Sequence, residues 1–181
     1  MNVKIENLSP NGIKNLDRQV ERVLDLVPGE HLRGFNKIVL VDAITEPRIS
    51  AVQRASLPAL YHPRMGGQMA WGEIATSVLM PRKKLSERLM SRMALKPNLA
   101  QLVLSLIAQH YHMTLAKGVK KTDLERACRS YTEKYFEKWR ESNGGIRMRL
   151  MKPFRPTLDR WAKKLSKKYK EGMEKEKKRS A

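Results

Sequence analysis

A chain of 181 residues with 41% hydrophobic and 30% charged side chains has enough apolar surface for one buried core, and its length argues against a second full domain. Its one cysteine, Cys128, excludes an internal disulfide and a four-cysteine zinc site, and suits a reducing compartment. The formal net charge of +19 is unevenly spread: residues 1–80 carry 9 Lys+Arg against 8 Asp+Glu, residues 81–144 carry 14 against 6, and residues 145–181 carry 14 against 4. An excess that grows along the chain implies an anionic partner for the C-terminal half: nucleic acid first, then an acidic protein or a membrane surface.

In chain order, residues 3–8 alternate like a short strand and end at SPNG, where Ser9 is placed to cap a helix with Pro10 in its first turn. Ile13, Leu16, Val20, Val23, Leu24 and Val27 then recur at helical steps up to Pro28-Gly29. KIVLVDAI, Lys37 to Ile44, is an apolar β-branched run expected to be a buried strand, and residues 45–56 are expected to be loop. ALYHPR (Ala59 to Arg64) and QMAWGEIATSV (Gln68 to Val78) predict two strands around Gly66-Gly67.

From Pro81 the periodicity is helical, with Leu85, Leu89 and Met93 in one stripe. Pro97 and Asn98 are expected to restart the chain into a second helix, which Gly118 ends. Residues 99–116 carry no formal charge, but Gln101, Ser105, Gln109, His110, His112 and Thr114 interrupt them. That favours a central buried helix over a membrane span. Leu102, Leu106 and Leu115 should be buried on it. Thr122 and Glu125 form a capping box for the next helix, whose stripe runs from Leu124 to Trp139 and which Asn143-Gly144-Gly145 closes. A last helix begins near Leu158, with Trp161, Leu165 and Tyr169 along one side among lysines and arginines. Strand, helix, several strands and then helices make an α+β layout, expected as a small, mostly antiparallel sheet packed on the central helix. The expected domain spans residues 1–145, with 146–181 a basic helical extension.

The order of elements and three stretches, PGEHLRGFNKIVLVD, ALYHPRMGGQMAWGEIAT and NLAQLVLSLIAQHYHMTL, resemble the zinc-metallopeptidase fold of the zincin type, in particular its small bacterial and phage domains. The resemblance implies an active-site helix at residues 98–115, where such proteins carry HExxH. In that motif two histidines four residues apart lie about 40° apart on a helix and share one zinc ion, while the glutamate takes a proton from the metal-bound water. With His112 as the second histidine, the first position is Ala108 and the glutamate position is Gln109. Alanine offers no ligand and glutamine no general base. His110 and His112 point about 200° apart on a helix and so cannot share an ion. If a metal is bound, the resemblance points to His112 and Glu125, the latter on the following helix, with Cys128 behind it. His31 and His62 are more distant.

The expectation is therefore a degenerate zincin-like domain that is not an enzyme and holds no cofactor. Its basic C-terminal half would bind a polyanion, chiefly nucleic acid without sequence specificity, through Arg147, Arg149, Lys152, Arg155, Arg160, Lys163, Lys164, Lys167, Lys168 and Lys170. Phe154, Trp161 and Tyr169 lie among these charges, where stacking on bases and packing on the body are both open to them. Two alternatives come from other classes: an active zinc hydrolase with an atypical ligand set, and an assembly protein whose basic helix binds a partner subunit. The N-terminal residues contain no apolar run of the secretory kind, so the expected place is the cytoplasm, or a virion if the chain is phage-encoded.

Overall fold

The computed structural model describes residues 3–9, 15–80, 85–116 and 120–143. The chain separates into two compact units, Met1–Arg140 and Glu141–Ala181. The expected boundary at residues 145–146, the final helix from Leu158 and its stripe all lie outside the described residues.

The first unit is α+β. Strands β1 (Lys4–Asn7), β2 (Phe35–Val41), β3 (Ala59–His62) and β4 (Ala70–Ala75) form one sheet in the order β1-β2-β4-β3. β1, β2 and β4 run parallel and only β3 is antiparallel. This corrects the expected mostly antiparallel sheet. The reason is α1 (Leu16–Leu24), which carries the chain from the end of β1 back to the start of β2 and so makes that pair parallel. β3 and β4 form the pair anticipated around Gly66-Gly67, but β4 stops at Ala75 and Thr76–Leu79 make the short helix α3.

One face of the sheet, with Ile38, Leu40, Tyr61 and Ile74, packs into the core with α1 and α4 (Leu85–His110). α1 buries Leu16, Val20, Val23 and Leu24, the helical stripe legible in the sequence. α4 supplies Leu99, Ala100, Val103, Leu104, Leu106, Ile107 and Ala108, each no more than 1% exposed. Burying one such leucine stabilises the fold by roughly 1.5–3 kcal/mol, which is why this helix anchors the domain. α4 comes close to the sheet because position 72 is glycine: a Cβ there would sit 2.8 Å from Cδ1 of Leu106.

Five local expectations are corrected. Pro97 does not restart the helix, since α4 runs through it from Leu85; a helical proline costs about 3 kcal/mol, and the buried turns that follow offset it. Residues Ala51–Ser56, expected to be loop, form α2, capped by Ser50, whose hydroxyl accepts from the Gln53 amide. Ser9 is not seen capping α1: its hydroxyl bonds Thr76 Oγ1 at 2.7 Å, while the residue preceding α1 is Asn15, left-handed at φ 65°. Of the three leucines expected to be buried on the central helix, only Leu106 is; Leu102 and Leu115 are half-buried. The helix also ends earlier than Gly118, passing at Tyr111–Leu115 into one wider π turn. After a 3-10 turn at Lys121–Asp123, α5 (Leu124–Asn143) buries Tyr131, Thr132, Tyr135 and Trp139. No helix among the described residues is long and apolar enough to cross a membrane.

Candidate functional site

Between α4 and α5 lies a groove of about 1040 Å³. α4 lines it with Gln101, Ser105 and Gln109, the residues that interrupt the apolar run, because a four-residue spacing keeps them on one side of the helix. α5 faces them with Glu125, Cys128, Arg129 and Glu133. Burial pushes the Cys128 thiol above its ordinary range, so it stays protonated near neutral pH. Arg129 meets Glu125 at 3.5 Å, with both side chains well exposed; such a pair adds little stability.

The positions matched to HExxH do not converge. Ala108 is fully buried in the core, Gln109 lines the groove, and His112 turns toward Tyr111 and Tyr131, its ring 5.1 and 5.9 Å from theirs. The π turn is the local cause: from Tyr111 the backbone leaves α-helical spacing, so His112 no longer stands one turn above Ala108. Glu125 faces the groove while His112 lies in this ring cluster, so the pair suggested as metal ligands is not gathered with a third. Among the described residues no three His, Cys, Asp or Glu side chains meet in a metal-holding arrangement. The side chains of α4 that face the groove at one-turn spacing are Gln101, Ser105 and Gln109, two amides and a hydroxyl. None is an imidazole or a thiolate, so this face of α4 does not fit the zinc ion that the resemblance implies.

His110 is a core histidine. Its Nε2–H donates to the Arg33 carbonyl at 3.0 Å, which leaves Nδ1 to accept from the Tyr61 hydroxyl, also at 3.0 Å. Burial lowers its pKa and keeps it neutral. The ring ties β3 and the entry to β2 onto the end of α4. His31, in the 3-10 turn Gly29–Leu32, bonds the Tyr131 hydroxyl through Nδ1 at 2.8 Å.

The opposite face of the sheet carries a polar cluster that the sequence did not single out. Glu73, 1% exposed in the middle of β4, accepts from the backbone N–H of Thr45 at 2.9 Å and from the Thr45 hydroxyl. His62, paired across the strands with Trp71, stacks on its ring with centroids 4.0 Å apart. The imidazole lies between Glu73, 3.6 Å from Nε2, and Glu46, 3.8 Å from Nδ1. Glu73 thus pins the loop after β2 across the sheet, and both its oxygens are engaged by Thr45. The available signal was a lone carboxylate in the otherwise uncharged run QMAWGEIATSV.

The ten basic residues expected to contact a polyanion, Arg147 through Lys170, lie outside the described residues. Comparison of the chain with protein-family models, curated proteins and solved structures finds no match to any of them.

Proposed function

We propose that this protein binds a polyanion through its basic C-terminal half, and that nucleic acid, recognised through its phosphates without sequence preference, is the ligand. The observation that carries this is the distribution of charge: residues 145–181 hold 14 basic side chains against 4 acidic ones, while residues 1–80 are nearly neutral. A chain whose charge excess grows toward one end, with residues 81–144 at 14 basic against 6 acidic and 145–181 at 14 against 4, attracts a dense line of phosphates by releasing their condensed counterions. The zincin-like body is, on this proposal, a non-catalytic scaffold. Two features support that part: α4 presents Ser105 and Gln109 to its groove where a peptidase helix would present imidazoles, and His110 spends both ring nitrogens on structural bonds.

The test is a set of neutral replacements in the full chain. Changing Arg160, Lys163, Lys164, Lys167, Lys168 and Lys170 to glutamine should flatten the log–log dependence of duplex affinity on salt by up to about 5, since each lost phosphate contact removes about 0.9. Unchanged affinity and slope would remove the basic segment from the binding surface. Stoichiometric zinc in the purified protein, lost on His112→Ala, would instead support the hydrolase alternative.

A further inference from the structure

We propose that the ring cluster of His31, Tyr111, His112, Tyr131 and Tyr135 is an acid-released latch that holds α5 against the body and sets the width of the groove. Its rings come from three separate elements: the 3-10 turn gives His31, the π turn gives Tyr111 and His112, and α5 gives Tyr131 and Tyr135. His31 lies 4.3 Å from the Tyr111 ring and 5.6 Å from the Tyr131 ring, and meets Tyr135 edge-on at 6.1 Å. Two polar links cross to α5, from His31 to the Tyr131 hydroxyl at 2.8 Å and from His112 to the backbone of Ala127. The groove occupies other space between α4 and α5, and these rings and links join α5 to the body beside it.

The cluster suits neutral imidazoles only. Nδ1 of His112 is buried without a hydrogen-bond partner, so a proton placed there would be an unsatisfied donor carrying charge. A second charge on His31 would add repulsion between the rings, and Lys134 of α5 adds to it. From the 3-10 turn, Glu30 faces Nε2 of His31 at 3.9 Å, but its side chain is 81% exposed and solvent screens it. From the other elements the facing titratable groups are Lys134 and Lys138 of α5, whose ammonium groups lie 5.7 and 4.9 Å from the Tyr135 ring, and the phenols of Tyr111, Tyr131 and Tyr135; burial pushes those of Tyr131 and Tyr135 upward, so they supply no negative charge.

Burial holds both histidines below the ordinary imidazole value. A group depressed in this way contributes stability that is present above its unfolded pKa of about 6.5 and is lost as pH falls through its folded value. The opened state, with solvated imidazoles, takes up the protons that the closed state refuses. Acid therefore favours release of α5.

Amide hydrogen exchange on the full chain between pH 7.5 and 5, corrected for intrinsic rates, tests the latch. Protection of α5 amides should fall further than any fall in α4 over this range, because the opened state takes up the protons that the closed state refuses. The α4 reference also absorbs the acid response of buried His110, which acts on the core. In a His31→Gln, His112→Gln double variant the excess loss in α5 should disappear. Parallel loss in the two helices of the unmodified protein, or an excess loss that survives in the variant, overturns the proposal. Should the variant fail to fold, proton NMR titration of the native imidazoles decides. The latch requires the His31 and His112 midpoints to lie below the ordinary value and to coincide with α5 opening. Titration of both at the ordinary value with α5 still protected overturns it.

Discussion

Replacing Leu106 with alanine should lower the unfolding free energy by about 2–5 kcal/mol, measured by denaturant titration at constant slope. Leu106 is 1% exposed, and its Cδ1 lies in the space that a side chain at position 72 would occupy. Truncation removes apolar contact and leaves a cavity that the parallel strands β2 and β4 cannot close by themselves. The same contact predicts coupling. Gly72→Ala should destabilise the native protein, because the new Cβ meets Leu106 at 2.8 Å, and should cost less in the Leu106→Ala background, where that space is free. A cost below about 1 kcal/mol for Leu106→Ala, or strict additivity of the two changes, would show that α4 does not press on the sheet at this point.

Glu73→Ala should be of similar size, about 3 kcal/mol or more. The buried carboxylate accepts from both the amide and the hydroxyl of Thr45, and its removal leaves a buried N–H without a partner as well as a hole. Glu73→Gln keeps the shape and one acceptor oxygen, and the Thr45 hydroxyl can rotate to accept from the new amide, so about 1–2 kcal/mol is expected. The comparison separates two roles. If glutamine costs as much as alanine, the second carboxylate oxygen, which accepts from Thr45, cannot be replaced by an amide, and the loop after β2 depends on both bonds.

The helices α1 and α5 were legible because each has one apolar stripe at helical spacing, and Leu16, Val20, Val23 and Leu24 of α1 are all buried. Strand direction was not legible. Nothing local in KIENL or KIVLV distinguishes a parallel neighbour from an antiparallel one; the direction follows from which strands the connecting helix brings together. Pro97 misled because its local penalty is outweighed by packing further along the same helix. The groove was present in the sequence as the spacing of Gln101, Ser105 and Gln109, polar residues that had served only to argue against a membrane span. The matching of His112 to a ligand position assumed regular α-helical spacing through residue 112, and the π turn at Tyr111–Leu115 breaks that assumption. No sequence feature of YHMTL marks the change.

His110 and His112 illustrate how similar side chains two residues apart acquire different surroundings. His110 has both ring nitrogens bonded inside the core, whereas His112 keeps one buried nitrogen without a partner. The first locks strands to helix. The second belongs to the ring cluster that joins α5 to the rest.

Binding through the charge excess of the C-terminal half should show itself in the salt dependence of duplex affinity for the unmodified full chain. Two duplexes of unrelated sequence should bind with equal strength, and affinity for both should fall by about 10³-fold or more between 50 and 200 mM salt, as expected for six or more phosphate contacts. Affinity that hardly changes over that range, or that depends strongly on base sequence, would rule out binding through phosphates alone.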